Sequence, residues 1–170
     1  MNKIVIDGHD FSGKKELVHD IKMNTNNSIV INPFKNNIGE LFLWLYNNKQ
    51  YDLANEVSLN AVCKEDIYED ENGLIILNRH WATVFSILPK EYWSIWFPLP
   101  NTIICWASTQ KTLERMEMHG NKELFVGYTE YYCGVYKKIA QEFNCKLIDT
   151  TVLSRDEVLQ EALQYIKEDQ

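Results

Sequence analysis

The sequence has no apolar run long enough to cross a membrane. Its most apolar segments, residues 74–77 and 103–107, are far shorter than the roughly 20 residues that a membrane span requires. Residues 3–7 form a short strand pattern with polar flanks, unlike the long apolar core of a secretory signal. With 17 Lys and Arg against 24 Asp and Glu, the net charge is −7, so the basic face of a nucleic-acid binder is missing. We expect a cytoplasmic protein that binds neither membranes nor nucleic acid, whereas a small anionic ligand stays compatible with this composition.

Cysteine, proline and arginine are also scarce. The four cysteines lie at positions 63, 105, 133 and 145 without a C-x-x-C pair, which argues against a zinc knuckle or a disulfide framework. There is no repeat and no Pro/Gly/Ser-rich linker, so the four prolines punctuate one continuous domain over residues 1–170. Arginine occurs only at positions 79, 115 and 155, which limits how many guanidinium groups any anion site can use.

Short apolar segments alternate with helical patterns along the whole chain. The strand segments are residues 3–7, 28–32, 74–77, 102–107 and 146–148. Each is apolar at odd and even positions alike, as in a parallel sheet covered on both faces. Helical patterns cover residues 14–23, 38–45, 53–61, 109–118 and 132–143, and a capping box at Ser154 and Glu157 precedes the last one. The alternation predicts an α/β fold: a doubly wound, five-stranded parallel sheet with helices on both faces and a ligand site at the carboxyl ends of its strands.

The turn after the first strand carries the clearest chemical motif. It follows the pattern G-x-x-x-x-G-K, with Lys15 where Ser or Thr is expected. Two glycines let backbone N–H groups curl around a phosphate, and the following helix adds a partial positive charge. We therefore predict a P-loop NTPase-type fold and a nucleotide phosphate site, with a ligand-free turn as the alternative. The predicted phosphate-binding residues are Gly8, His9, Asp10, Phe11, Ser12, Gly13, Lys14, Lys15 and Glu16.

Five further segments extend this motif. They are Asn32-Pro33-Phe34-Lys35 with Ile38-Gly39, Ile76-Leu77-Asn78-Arg79-His80, Leu99-Pro100-Asn101, Leu113-Glu114-Arg115 and Leu147-Ile148-Asp149-Thr150. In order and spacing, over nearly all 170 residues, these segments resemble the F-P-x-R, D-R-Y, P-x-P-D, L-x-R and I-D-A motifs of thymidylate kinases and related deoxynucleoside kinases. The resemblance implies a nucleoside-monophosphate-kinase-like domain with a lid near residues 114–124.

The resemblance also implies an activity, namely transfer of the ATP γ-phosphate to a deoxynucleoside monophosphate in nucleotide biosynthesis, with dTMP as the first candidate. Such transfer works mainly through positioning and charge neutralisation. The implied catalytic residues are Lys14, Arg79, Asp10 and Arg115, with Lys122 closing from the lid. The implied acceptor-binding residues are Asp10, Phe34, Lys35, Lys64, Asn78, Arg79 and His80; among them Asp10 would contact the acceptor sugar.

Several positions depart from the family pattern. In the family, the residue after the loop lysine carries a hydroxyl that ligates Mg²⁺, but here that position is Lys15 and the next one is Glu16. The acidic residue of the D-R-Y motif is replaced by Asn78. An ammonium cannot coordinate a metal and an amide carries no charge, so ATP is an expected cofactor whereas Mg²⁺ is doubtful and metal ligands are unknown. The helix through residues 58–64 also lacks the family's base-stacking Phe and base-reading Arg, and Lys64 has no planar fork to replace that Arg.

Three functions therefore remain open. The first is an active deoxynucleoside monophosphate kinase in which Lys15 supplies part of the charge. The second is a degenerate relative that binds a nucleotide or a partner without turnover. The third is a deoxynucleoside kinase, although Asn32 and Lys35 offer no carboxylate base just after the second strand.

Apolar residues off the main stripes of the second and third helices, such as Leu43 and Trp44, suggest a homodimer, since thymidylate kinases pair through these helices; extra core burial is the alternative.

Overall fold

Five parallel strands form the centre of the computed structural model, which describes residues 2–66, 73–120 and 125–168. The strands are β1 (Asn2–Gly8), β2 (Ser28–Ile31), β3 (Leu74–Asn78), β4 (Thr102–Trp106) and β5 (Lys146–Asp149), in the spatial order β2-β3-β1-β4-β5. All four strand pairs are parallel, with Ile4 beside Ile76 and Ile6 beside Ile103 in register. The predicted α/β fold class is confirmed.

Helices connect successive strands. They are α1 (Lys14–Asn24), α2 (Ile38–Asn47), α3 (Tyr51–Asp66), α4 (Trp81–Phe85), α5 (Thr109–Met118), α6 (Val126–Glu142) and α7 (Arg155–Glu168), with a 3₁₀ helix at Lys90–Trp96. The capping box before α7 forms as predicted: Ser154 N–H donates to Glu157 Oε2 at 2.8 Å, and Glu157 N–H donates to Ser154 Oγ at 3.3 Å. Helix α4 and the 3₁₀ helix were not predicted, because segments of five and seven residues are too short to show a helical repeat.

The core lies on both faces of the sheet. On one face, Leu17 and Ile21 of α1 and Ala162 of α7 pack against Ile6 and other strand residues. On the other face, buried side chains of α2, α3, α4 and α6 form a second cluster that includes Phe42, Trp81 and Tyr136. Fully burying one large aliphatic or aromatic side chain contributes about 1.5–3 kcal/mol to folding. The two clusters therefore hold the sheet rigid beneath the loops that leave its carboxyl edge.

The strand order brings the ends of β3, β1 and β4 side by side. Gly8 ends β1, Asn78 ends β3, and Ala107 follows β4, so the motif loop lies between two other strand ends. In open α/β sheets the ligand site lies outside these carboxyl ends. Within the described ranges, no helix is both long and apolar enough to span a bilayer.

Candidate nucleotide site

The motif loop requires glycine at its first position. Gly8 has φ +150°, and a Cβ atom there would lie 2.2 Å from the carbonyl oxygen of Cys105 in the neighbouring strand β4. Gly13 adopts the left-handed region (φ +89°) directly before α1, and Phe11 does so as well (φ 58°). The loop is thus curled against β4 and leads into the amino terminus of α1, where backbone N–H groups can receive an anion.

Lys14 is folded inward over this loop. Its Nζ donates a hydrogen bond to the carbonyl oxygen of Gly8 at 2.9 Å, and the residue is buried. Burial lowers the pKa of Lys14 from 10.5 to about 8, assisted by the Arg79 charge and opposed by Asp7 and Asp10. The hydroxyl of Ser12 is also buried and has no hydrogen-bond partner among the residues that the structure describes. A phosphate oxygen would satisfy both groups.

Arg115 lies across the loop from α5. Its guanidinium donates to the carbonyl oxygen of Phe11 (2.9 Å), to the Thr150 hydroxyl (3.0 Å) and to the Thr150 carbonyl oxygen (2.8 Å). The Thr150 hydroxyl in turn donates to the carbonyl oxygen of Ser12 at 2.7 Å. Since all of these acceptors are neutral, none of them compensates the positive charge of Arg115 beside the loop.

A cavity of about 500 Å³ opens over the loop and the start of α1, and we name it the donor cavity. It is lined by the motif loop, by Arg115 and Thr150, and by residues of α1 and α7. Asp20 and Arg155 form an ion pair at its far wall, with a distance of 2.5 Å between Asp20 Oδ1 and Arg155 Nη2. The exposed residues Lys15 and Glu16 also line this cavity.

A second cavity, of about 610 Å³, lies on the other side of the loop, and we name it the acceptor cavity. The two cavities share four lining residues: His9, Asp10, Phe11 and Arg79. At this junction Arg79 Nη2 donates to Asp10 Oδ1 at 2.9 Å. Partial desolvation raises the pKa of Asp10, but the Arg79 charge and hydrogen bond outweigh it, so the pKa falls below its ordinary value and Asp10 is ionised at neutral pH.

The backbone of Arg79 is strained at this junction. Its φ of 73° lies in the left-handed region, which costs a non-glycine residue about 1 kcal/mol. The Arg79 N–H donates to the carbonyl oxygen of Ile6 at 3.1 Å, which fixes the strained turn to strand β1. Strain of this kind accumulates at functional sites, where the surrounding structure enforces a side-chain direction.

Aromatic side chains form the walls of the acceptor cavity. Phe34 and Phe42 line it on one side, and Tyr128 and Tyr132 of α6 line it on another. The rings of Tyr128 and Tyr132 are 4.6 Å apart between centroids. Burial and the neighbouring tyrosines raise the pKa of Tyr132 to about 12, so its hydroxyl is neutral and can donate a hydrogen bond. Such walls fit a planar ring with polar edges.

Asp7 organises the turn that carries Arg79. Its buried carboxylate accepts hydrogen bonds from the backbone N–H groups of Gly8 (2.8 Å), His80 (3.0 Å) and Thr83 (2.9 Å), from the Thr83 hydroxyl (2.8 Å), and from Tyr136 OH (3.3 Å). These bonds cap the amino terminus of α4 and join it to the motif loop. Because the donors occupy the carboxylate's acceptor positions, Asp7 is a structural anchor.

His9 is held in a neutral form between the loop and β4. The N–H of Ala107 donates to His9 Nε2 at 3.1 Å, and Nδ1 lies 2.8 Å from the carbonyl oxygen of Asp10, so the network assigns the proton to Nδ1. Burial lowers the pKa of His9, and the Lys14 charge acts in the same direction.

Some of the predicted site residues line the two cavities and others do not. Asp10, Phe34 and Arg79 line the acceptor cavity, and the predicted phosphate-binding residues from His9 to Glu16 line the donor cavity with Arg115. The four predicted acceptor residues that line neither cavity are Lys35, Lys64, Asn78 and His80. Of these, Lys35 is exposed beside Phe34, and the buried His80 ring stands edge-on to Trp96 at 6.4 Å. Lys122 and the end of the expected lid, residues 121–124, lie outside the described residues.

Several lining residues were not assigned to a site from the sequence, and four of them are Thr150, Arg155, Tyr128 and Tyr132. Thr150 stands at the position of the Ala in the family's I-D-A motif. The sequence alone therefore shows that a hydroxyl group replaces a methyl group there. The two tyrosines lie on α6, which begins six residues before the helical pattern predicted over residues 132–143. No local pattern marks Arg155, which reaches the cavity only through the packing of α7 against α1.

The available side chains fit poorly as protein ligands for Mg²⁺. Lys15 replaces the expected hydroxyl, Asn78 is neutral, and the Asp7 carboxylate is fully occupied by donors. Within residues 2–66, 73–120 and 125–168 there is no group of three or more His, Cys, Asp or Glu side chains able to hold a metal ion. We therefore derive no step through a protein-held metal.

Solved structures with the same architecture are known, although no protein-family profile matches the sequence and no curated protein matches it significantly. The thymidylate kinase of Candida albicans aligns with 99% of this chain and 92% of its own, with a TM-score of 0.73 and 14% identity. The YorR protein of Bacillus subtilis, in complex with phosphorylated GDP, aligns over 99% and 97% of the two chains, with a TM-score of 0.71 and 11% identity. The deoxyadenosine kinase of M. mycoides, with the products dCMP and dCDP, aligns over 99% and 100%, with a TM-score of 0.61 and 15% identity. The resemblance predicted from the motifs is confirmed at the level of the fold: the chain has the fold of these thymidylate and deoxyadenosine kinase structures.

Proposed function

We propose that the protein is a phosphotransferase that moves the γ-phosphate of ATP to a deoxynucleoside monophosphate, with dTMP as the first candidate. The observation that carries this proposal is the pair of cavities that meet at Asp10 and Arg79, directly above a loop with the geometry of a phosphate cradle. Phosphoryl transfer between two nucleotides needs two nucleotide-sized spaces that meet at the transferred group, whereas a protein that binds one nucleotide needs only one.

On the donor side, each residue has a role that its position supports. The N–H groups of the motif loop and Lys14 Nζ bind the phosphates, and the Ser12 hydroxyl gains a partner. Arg115 neutralises charge from the opposite side. These donors are held by backbone contacts before the ligand arrives, so they need little reorganisation during transfer.

On the acceptor side, Phe34 and Tyr132 stack on the base, and Asp10 accepts a hydrogen bond from the sugar hydroxyl. Arg79 lies between the two cavities, where it can contact both the acceptor phosphate and the transferred group. The exposed Lys35, next to Phe34, would turn inward to share the acceptor phosphate.

Two other functions have specific support. The poor fit to Mg²⁺ favours a nucleotide-binding protein without turnover. A deoxynucleoside acceptor, which has no phosphate, is favoured by the charge of the acceptor cavity: among the described residues, Arg79 is the one Lys or Arg side chain that lines it, and it is already paired with Asp10.

A coupled turnover assay separates these three functions. ATP and MgCl₂ would be supplied with each of the four deoxynucleoside monophosphates and, separately, with the four deoxynucleosides. Turnover with a monophosphate supports the proposal, and turnover with deoxynucleosides alone would replace it with a nucleoside kinase. ATP binding by calorimetry without any turnover would establish the non-catalytic alternative.

We further propose that the chain is a single domain located in the cytoplasm. Two copies of it form a homodimer through α2 and α3. These helices pack against each other and carry large apolar side chains on their outer surface: Leu41, Trp44 and Leu53 are 45%, 56% and 49% exposed. A second copy of the same face would cover these side chains, as an isologous interface does. Size-exclusion chromatography with light scattering tests this, since a mass of 20.0 kDa instead of about twice that value would refute the dimer.

A further inference from the structure

We propose that this protein binds the triphosphate of its nucleotide without a divalent cation, and that the Lys15 ammonium supplies the positive charge at that place. The inference rests on the proposed nucleotide site.

The first support is the loss of oxygen ligands around the loop. The position after Lys14 is an ammonium, and the residue at the end of β3 is the amide Asn78, whose Oδ1 is buried without a hydrogen-bond partner among the described residues. The nearby carboxylate of Asp7 accepts hydrogen bonds from Gly8, Thr83 and other donors, so it has no lone pair to offer. A hard cation such as Mg²⁺ binds oxygen ligands, and this side of the cavity offers few.

The second support is the set of positive charges that line the donor cavity. Arg79 and Arg155 are paired with Asp10 and Asp20. By contrast, the structure shows no hydrogen bond or ion pair for the Lys15 side chain within the described part of the chain, and Lys15 is exposed at the cavity wall. Its ammonium is therefore available to an incoming anion.

Position and charge together make Lys15 a substitute for a metal ion. It follows Lys14 in the first turn of α1, and together with Lys14 and Arg115 it places three positive groups around the same space. Three carboxylates line the same cavity: Glu16 is one residue further along, whereas Asp10 and Asp20 are paired with Arg79 and Arg155. A divalent cation placed beside Lys15 would be repelled by the ammonium. The binding free energy of Mg²⁺ is therefore less favourable here than in a loop with a hydroxyl residue at this position.

The experiment is calorimetric titration of the whole protein with ATP, once in EDTA and once in excess MgCl₂. We expect the dissociation constant of the wild-type protein to differ by less than about three-fold between the two conditions. Lys15→Ser should weaken binding about ten-fold or more in EDTA, since a charge-assisted contact to phosphate is lost, and MgCl₂ should restore part of that affinity. Lys15→Arg should behave like the wild type.

Lys22→Ser is the matched control, because Lys22 is exposed in the last turn of the same helix and does not line the cavity. It should leave both dissociation constants unchanged. If MgCl₂ tightens wild-type binding about three-fold or more, or if Lys15→Ser binds like the wild type in EDTA, the inference is overturned while the nucleotide site stands. If the folded wild-type protein binds no ATP in either condition, the proposed nucleotide site itself is refuted, and this inference fails with it.

Discussion

The affinity for ATP should fall as the pH rises through about 8, because Lys14 loses its proton there. Burial lowers the pKa of Lys14 from 10.5 to about 8 in the unliganded protein. A bound phosphate favours the ammonium and raises that pKa again, so binding is coupled to proton uptake. The protonated fraction of Lys14 is about 90% at pH 7 and about 10% at pH 9, which predicts about ten-fold weaker binding at pH 9.

Calorimetric titration at pH 7, 8 and 9 in two buffers of different ionisation enthalpy measures both the affinity and the proton uptake. Lys14→Arg is the informative variant, since an arginine stays charged over this range and should abolish the pH dependence, whatever its affinity. An unchanged dissociation constant between pH 7 and pH 9, or no proton uptake at pH 8, would show that the Lys14 ammonium does not bind the phosphates.

Three further predictions concern the loop, the acceptor cavity and the outer helices. Gly8→Ala should lower the free energy of unfolding, measured by urea denaturation, by about 2 kcal/mol or more, because its Cβ would lie 2.2 Å from the Cys105 carbonyl oxygen. Gly134→Ala is the control: its Cβ would lie in open space within α6, so it should not destabilise the protein. Tyr132→Ala should weaken acceptor binding about ten-fold and leave ATP binding intact, whereas Tyr132→Phe should keep the stacking; equal acceptor affinity in all three proteins would contradict the aromatic wall. Trp44→Glu should yield a monomer in light scattering with an unchanged circular-dichroism spectrum and a lower melting temperature, because the stabilisation from dimerisation is lost; a persistent dimer would exclude Trp44 from the interface.

The strands and the motif loop could be predicted from the sequence because local rules determine them. Residues such as Ile75 and Ile76, adjacent yet both fully buried, mark a strand covered on both faces, and the predicted helix at residues 109–118 matches α5. The capping box of Ser154 and Glu157 also depends only on neighbouring residues. In each case the information lies within a few positions of the element.

The contacts that complete the site depend on residues far apart in the chain. Asp7 joins Thr83 and Tyr136, which are separated from it by 76 and 129 positions, and no spacing rule indicates such bonds. Arg115 contacts Thr150 across 35 positions. The fold brings these residues together, so the sequence could predict the loop, its lysine and Phe34, but not the Asp7 anchor or the two tyrosines of α6 that line the acceptor cavity.

Simultaneous occupation of both cavities is the central claim, and a bisubstrate ligand tests it most directly. The ligand would be adenosine joined to thymidine by a polyphosphate chain, titrated beside ATP and dTMP. If the two cavities meet at Asp10 and Arg79, the linked ligand should bind at least about a hundred-fold more tightly than ATP, since the second half binds without a new loss of translational freedom. A linked ligand that binds no more tightly than ATP alone would contradict a shared donor and acceptor site.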